Sequence, residues 1–192
     1  MTLFDQVVAC LDDHSVRFTL IGAGALSALG ISDDTLDQEL LVTESRVLSR
    51  LFWSGAPASV EFDAPIPDAD LLAGEVRLTA PGERPVRIVV GRGRWLEGVL
   101  DRSVIIEEPG RDLPAAALAD LILLNLYFRE AENLAAIRAI LGAADSVGLR
   151  EDVESRLSFL PAECVMGWQQ ILASQQNAGA LKLDGGDGDT GS

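Results

Sequence analysis

Two carboxylate side chains, Asp37 and Glu39, lie one residue apart in a stretch that reads as a β-strand over 37–42. Alternate residues of a strand project from the same face, so these carboxylates are expected to lie side by side. Paired carboxylate oxygens of this kind can share a divalent cation such as Mg²⁺. The spacing therefore makes Asp37 and Glu39 candidate metal ligands.

Acid–x–acid spacing alone carries little information here, because 30 of the 192 residues are Asp or Glu. The same spacing occurs at Glu61 and Asp63, Asp68 and Asp70, Glu130 and Glu132, Asp152 and Glu154, and Asp187 and Asp189. What distinguishes Asp37 and Glu39 is the segment before them: a buried strand over 16–21, a turn at Gly22, and a short helix over 23–29. A turn of small residues at a helix N-terminus can hold a phosphate group. This order of elements indicates nucleotide and metal chemistry.

The composition restricts the class of protein. Acidic residues outnumber Lys and Arg by 30 to 15, which gives a formal net charge of −15. Such a surface repels phosphates, so we expect no nucleic-acid partner. The apolar run 118–126 is interrupted by Asp120 and Asn125 and is too short to span a bilayer, so we expect no membrane association. The N-terminus has no signal-peptide pattern, and Cys10 and Cys164 have no metal-ligand spacing, which together predict a cytoplasmic protein with reduced thiols.

The hydrophobic pattern predicts the elements that would position these residues. Apolar residues at helical spacing predict a helix over 2–13, and Thr43 is a predicted N-cap of a helix that continues through about Trp53. The turn 81–84 lies between two apolar strands and predicts a hairpin. Further predicted strands cover 60–62, 75–79, 86–90 and 103–106, and a short helix covers 95–100.

From Pro114 onward, the sequence has only helical patterns, over 114–129, 131–144, 150–159 and 162–173. The expected fold class is therefore α/β (α+β), a mixed β-sheet with flanking helices followed by a C-terminal helical bundle. The predicted segments are an α/β domain over 1–110, a helical region over 111–175 and a disordered tail over 176–192.

The chain resembles the nucleotidyltransferase superfamily, and within it the minimal nucleotidyltransferases of bacterial toxin–antitoxin systems. The family typically opens with Gly-Gly-x-Ala, has a further Gly, and continues with Arg-x-Thr-x-Asp-x-Asp. The corresponding residues are Gly22-Ala23-Gly24-Ala25, Gly30 and Asp33-Asp34-Thr35-Leu36-Asp37-Gln38-Glu39. The strand 86–90 and the segment 113–124 fit the later part of the family, so the resemblance spans about residues 3–142.

The resemblance implies nucleotidyl transfer. In that reaction three carboxylates hold two Mg²⁺ ions, which activate an acceptor hydroxyl and stabilise the reacting phosphorus. By resemblance, Asp37 and Glu39 are the catalytic and metal-binding residues, and Gly22, Ala23 and Thr35 bind the nucleotide. The implied cofactor is Mg²⁺ with a nucleoside triphosphate, and no cofactor if this chemistry has been lost.

Several positions depart from the family pattern in a way that removes its charges. Arg87 stands where the third carboxylate is expected, and its guanidinium can pair with Asp37 or Glu39 in place of a metal. Glu75 and Asp63 are the alternative third ligands. The other departures are Ala23, Asp33, Asn125, Glu130 and Asn133, which replace small or charged residues of the family pattern.

Three functions follow from these observations. The first is a pseudoenzyme with a degenerate site, used as a binding or regulatory module. The second is an active Mg²⁺-dependent nucleotidyltransferase that moves a nucleoside monophosphate to an unidentified acceptor. The third is a structural subunit of a toxin–antitoxin-like complex, in which the C-terminal helices bind a protein partner or a second copy of the chain. The sequence leaves open whether the protein is an enzyme.

Overall fold

The fold is taken from a computed structural model that describes residues 1–32, 38–56, 58–63, 70–108, 111–128, 131–143 and 146–183. Among the predicted site residues, Asp33, Thr35, Asp37 and Glu130 lie outside these ranges. The strands are β1 Phe18–Ile21, β2 Gln38–Val42, β3 Ser59–Phe62, β4 Leu72–Thr79, β5 Val86–Gly91, β6 Val104–Glu108 and β7 Arg111–Ala115. The helices are α1 Leu3–Asp13, α2 Gly22–Ala28, α3 Gly93–Asp101, α4 Leu118–Phe128, α5 Ala131–Ala143, α6 Ser146–Arg156 and α7 Ala162–Leu183.

The seven strands form one mixed sheet in the order β3-β4-β5-β2-β1-β7-β6. The pair β2 and β5 is parallel, as is β1 and β7, whereas the other neighbours are antiparallel. Both faces of the central strand β2 are covered, since Leu40 and Leu41 point to opposite faces and both are fully buried. The expected fold class, a mixed sheet with flanking and C-terminal helices, is confirmed.

Helix α1 begins as its sequence favours. The hydroxyl of Thr2 accepts a hydrogen bond from the backbone N–H of Asp5, and the Asp5 carboxylate accepts one from the N–H of Thr2. This capping box satisfies backbone donors that a helix otherwise leaves unpaired. The buried face of the helix carries Leu3, Phe4, Val7, Val8 and Leu11.

The C-terminal helices pack around α4. Its residues from Ala119 to Leu126 are all buried, and all but Asp120 and Asn125 are apolar, as expected of a helix surrounded by other elements. It contacts α5, α6 and α7. Within the described ranges, no helix combines the length and the apolar character needed to cross a membrane.

The helix predicted from Thr43 through Trp53 is wrong. Only a short 3₁₀ turn, Ser45–Leu48, forms there. In a continuing helix the carbonyl of Val47 would accept the N–H of Leu51. Instead it accepts the indole N–H of Trp53 at 2.8 Å, and the Leu51 N–H donates to the Ser49 hydroxyl at 3.3 Å. Side-chain hydrogen bonds of this kind compete with helical ones.

The predicted start of a helix at Pro114 is also wrong, because residues 111–115 form strand β7. This strand lies between β6 and β1, and the N–H of Ala116 donates to the carbonyl of Leu20 at 2.9 Å. Long-range pairing has overridden the local pattern. The sheet therefore continues past residue 110. At the other end of the bundle, α7 continues to Leu183, into the first part of the predicted tail, and residues 184–192 lie outside the described ranges.

Candidate functional site

A cleft of about 670 Å³ lies between the sheet and the helices α4 and α5. The sheet and helix α2 contribute the side of the cleft that contains Ile21, Gly22, Ala23, Leu26, Glu39, Glu75, Arg77 and Arg87. Helices α4 and α5 contribute Leu124, Asn125, Phe128, Asn133, Ala135, Ala136 and Ala139. The cleft thus brings the predicted turn, one acid of the predicted pair, and residues from the helical region to one place.

Arg87 occupies the centre of the charged side of the cleft. It faces Glu39 across the parallel pair β2 and β5, and its Nη1 lies 2.7 Å from Glu39 Oε1. Its Nε lies 2.6 Å from Glu75 Oε1, on the neighbouring strand β4. The guanidinium therefore bridges two carboxylates, a geometry that its forked donors favour. The aromatic ring of Phe128 lies 6.0 Å from the guanidinium carbon.

The charge of Arg87 is fixed by this arrangement. Burial acts to lower its pKa, but the hydrogen bonds to Glu75 and Glu39 and the charges of these two residues outweigh it. The pKa of Arg87 therefore lies above its usual value, and the side chain stays cationic at any pH at which the protein is folded. Glu39 and Glu75 keep a permanent counter-ion.

Gly22, at the start of α2, is in direct contact with the acid on β2. Its φ is +63°, in the left-handed region that favours glycine. A Cβ atom built on Gly22 would lie 1.9 Å from Glu39 Oε2, which is well inside a van der Waals contact. The turn predicted to hold phosphate is therefore covered by the Glu39 carboxylate.

Replacing Gly22 by alanine is expected to destabilise the protein by about 2–4 kcal/mol, because it combines left-handed backbone strain with displacement of Glu39 from its pair with Arg87. Gly30→Ala is the matched control: φ is +71° there, but nothing lies within 4 Å of the added Cβ. We expect it to cost only the backbone strain, about 1–2 kcal/mol. Urea denaturation of both variants measures the difference, and equal losses would contradict the proposed Glu39 contact.

The helical wall of the cleft presents two asparagines where the resemblance led us to expect charged groups. Asn125 is buried, and its Nδ2 donates to the carbonyl of Leu121 at 2.8 Å. The Nδ2 of Asn133 donates to the carbonyl of Asn125 at 3.3 Å. Asn125 therefore donates within α4 and Asn133 donates from α5 to α4, and neither side chain supplies a charge to the cleft.

A second polar contact connects the segment just before β4 to α4. The Tyr127 hydroxyl donates to the Asp70 carboxylate and accepts the N–H of Leu71 at 3.3 Å. Burial and the hydrogen bond to Asp70 raise the pKa of Tyr127 to about 12. The hydrogen bond from Tyr127 is also the main reason that the pKa of Asp70 is lowered.

This contact has a direct spectroscopic test, because Tyr127 is the chain's single tyrosine. The absorbance at 295 nm should titrate with a midpoint near pH 12, against about 10 for an unperturbed tyrosine. Because the raised pKa favours the protonated form in the folded state, the associated stability is present below about pH 10 and is lost as the pH rises through the folded midpoint.

The Asp70→Asn variant should move this midpoint toward 10, because it removes the acceptor charge beside the hydroxyl. Asp152→Asn removes the same charge from an exposed carboxylate on α6 and should leave the midpoint in place. A native midpoint at 10, or equal shifts in the two variants, would show that the Tyr127–Asp70 contact does not form in solution.

The predicted site residues are only partly placed by the structure. Gly22, Ala23 and Glu39 line the cleft, whereas Thr35 and Asp37 lie outside the described residues. Of the two alternative third ligands, Glu75 lines the cleft, and Asp63 does not. Sequence reasoning missed Arg77, which also lines the cleft and faces Arg87 across the hairpin. The predicted hairpin turn at 81–84 could have identified it, because positions 77 and 87 lie at nearly equal distances on either side of that turn.

The described residues do not fit a divalent metal ion at this position. A Mg²⁺ site needs carboxylate oxygens that are free to coordinate the ion. Here Oε1 of Glu39 and Oε1 of Glu75 both accept hydrogen bonds from Arg87. Across the ranges that the structure describes, no cluster of three or more His, Cys, Asp or Glu side chains is suited to hold a metal ion.

Known structures establish the fold. The sequence matches no protein-family model and none of the curated proteins. The crystal structure of ANT(2")-Ia in complex with adenylyl-2"-tobramycin is similar, with a TM-score of 0.56 and 11% identity over 81% of this chain and 95% of that one. The solution structure of the antibiotic-resistance factor ANT(2'')-Ia has a TM-score of 0.51 and 11% identity over 81% and 90% of the two chains.

A nucleotidyltransferase-like protein from Paracoccidioides brasiliensis is more distant. It has a TM-score of 0.43 and 13% identity over 80% of this chain and 85% of that chain. With the mixed sheet and the cleft between sheet and helices, the similarity to ANT(2'')-Ia shows that this protein has a nucleotidyltransferase-like fold.

Proposed function

We propose that this protein is a binding or regulatory module that keeps the nucleotidyltransferase-like fold and has lost two-metal nucleotidyl transfer. The observation that carries the proposal is the guanidinium of Arg87 between Glu39 and Glu75, at 2.7 and 2.6 Å. In two-metal transfer, carboxylates bind the metal ions that stabilise the attacking and leaving oxygens. Here Arg87 instead holds one oxygen of Glu39, a proposed metal ligand, and one oxygen of Glu75 in an ion pair.

Release of the carboxylates to a metal would be costly. The Arg87 guanidinium cannot be deprotonated to break the pair, since its pKa is raised further by its two partners. The three side chains are largely buried, with exposed fractions of 31% for Arg87, 17% for Glu39 and 20% for Glu75. Breaking a desolvated pair on one side leaves an uncompensated charge.

The phosphate side of the cleft supports the same proposal. A nucleoside triphosphate brings about four negative charges, which proteins neutralise with Lys, Arg, Mg²⁺ or backbone N–H groups. The turn at Gly22 faces the Glu39 carboxylate instead, and Asn125 and Asn133 commit amide nitrogens to backbone carbonyls. A bound triphosphate would therefore meet a negative charge at the turn and neutral groups at the helices.

Calorimetric titration with ATP, CTP, GTP and UTP, each with and without Mg²⁺, tests the proposal. We expect no metal-dependent binding tighter than about 1 mM for any of the four. Micromolar binding that requires Mg²⁺ would overturn it and favour an active nucleotidyltransferase.

The active alternative has a test of its own. ANT(2")-Ia was solved with adenylyl-2"-tobramycin, so labelled ATP with small-molecule, RNA and protein acceptors is the corresponding assay. We expect no labelled product. Transfer that is abolished in the Asp37→Ala, Glu39→Ala double variant would establish these residues as catalytic and refute the loss of activity.

A further inference from the structure

Arg77 is placed against the usual rule for paired strands. The register of β4 and β5 sets it directly opposite Arg87, and like charges in that position are destabilising. Its partner on β3 is Glu61. Yet in the described part of the chain Arg77 makes no ion pair, although it is exposed and lines the cleft. Violations of local pairing rules concentrate at functional sites.

Among the described residues that line the cleft, Arg77 is the cationic side chain without an ion pair. Arg87 and Arg77 are the two cationic side chains among the described lining residues. Arg87 is bridged to two carboxylates, so its charge is more than compensated. A ligand with one negative group can therefore be neutralised at Arg77, whereas a multiply charged one cannot.

The opposite wall favours an apolar body. Leu124 and Phe128 of α4 face the cleft together with small side chains of α5, which leave room between the layers: Ala135, Ala136 and Ala139. The cleft volume of about 670 Å³ lies within the range of small-molecule sites. The amide oxygens of Asn125 and Asn133 add hydrogen-bond acceptors, since their nitrogens donate to backbone carbonyls of α4.

We propose that the cleft binds a small amphipathic molecule with a single anionic group, held by Arg77, and an apolar body packed against α4 and α5, without a metal ion. This inference rests on the proposed function, because it requires Arg87 to stay paired with Glu39 and Glu75. It also deepens that proposal by naming the class of ligand.

Two fluorescent probes with nearly the same skeleton test the inference. The probe 8-anilinonaphthalene-1-sulfonate is an aromatic monoanion, and N-phenyl-1-naphthylamine lacks the sulfonate. We expect Arg77→Gln to weaken binding of the sulfonate by about 10-fold or more, the usual effect of losing one charged hydrogen bond. Binding of the neutral probe should change by less than about 2-fold.

Two further variants locate the site. Arg94→Gln removes the same charge from an exposed position on α3, and we expect less than about a 2-fold effect on either probe. Ala139→Trp fills the cleft from its exposed helical wall and should abolish binding of both. Equal weakening of the sulfonate by Arg77→Gln and Arg94→Gln would overturn the inference, as would probe binding that survives Ala139→Trp.

These outcomes are separable from failure of the proposed function. Metal-dependent binding of a nucleotide in calorimetry would refute the loss of two-metal chemistry, whatever the probes show. Absence of such binding together with an Arg77-independent response to the sulfonate would leave the proposed function in place and refute this ligand class alone.

Discussion

Replacing Asp120 by alanine is expected to destabilise the protein by about 3–5 kcal/mol, the usual cost of removing one partner from a buried ion pair. Asp120 lies in the first turn of α4 and is fully buried. Its carboxylate accepts two hydrogen bonds from Arg102, at 2.9 Å to Nε and 2.8 Å to Nη2. Arg156 of α6 lies 3.9 Å away. Without Asp120, Arg102 would lose the carboxylate that accepts both of these hydrogen bonds, whereas Arg156 would keep its pair with Asp152 at 3.4 Å.

Urea denaturation measures this loss, and Asp101→Ala supplies the control. Asp101 pairs with Arg17 at 2.6 Å, but both side chains are more than 60% exposed, so the variant should change the free energy of unfolding by about 0–1 kcal/mol. In the variant, Arg102 cannot relieve the loss by deprotonation, because an arginine side chain stays charged in proteins. If the free energy of unfolding fell by the same small amount in both variants, the Arg102–Asp120 pair would not be stabilising the contact between α3 and α4.

Replacing Arg87 by aspartate should remove the ion pairs with Glu39 and Glu75 and create a metal-binding site in the cleft. The new carboxylate would stand beside Glu39 and Glu75, and three carboxylates in one place repel one another unless a cation is bound. We expect the variant to be less stable than the parent without metal. Added Mn²⁺ should stabilise it, by about 2.7 kcal/mol at 100 times its dissociation constant.

The control for this experiment is Arg77→Asp, which makes the same charge change at the facing position of the same cleft. Arg77 is not bonded to Glu39 or Glu75 in the described structure, so its replacement should leave the Arg87 bridge intact. Thermal melts over a series of Mn²⁺ concentrations compare the two. A metal response that is absent from Arg87→Asp, or equal in both variants, would contradict the view that the guanidinium takes the place of a cation.

The contact between Arg87 and Glu39 was among the possibilities that the sequence supports, because a strand arginine stands where a family carboxylate is expected. The local pattern could not choose between Asp37 and Glu39 as partner. That choice depends on the register between β2 and β5, which pairs segments far apart in the chain. The position of Glu75 depends likewise on β4 lying beside β5.

The failed predictions have the same physical origin. Around Pro114 the helical periodicity is real, but pairing with β6 and β1 gives residues 111–115 hydrogen bonds that a helix there would not provide. After Thr43 the pattern is also helical, and the buried indole of Trp53 removes an acceptor that the helix needs. Propensity is a weak prior that tertiary contacts override.

Strand β7 has a consequence for how the chain can fold during synthesis. It pairs with β6 along its whole length and with β1 at Ala115 opposite Leu20, and just after it the N–H of Ala116 donates to the carbonyl of Leu20 at 2.9 Å. Until residues 111–115 emerge from the ribosome, β1 is an open edge and β6 has no neighbour. Open edges of this kind invite pairing with other chains. The first 110 residues are therefore expected to remain incomplete, and prone to associate, until the start of the helical region completes their sheet.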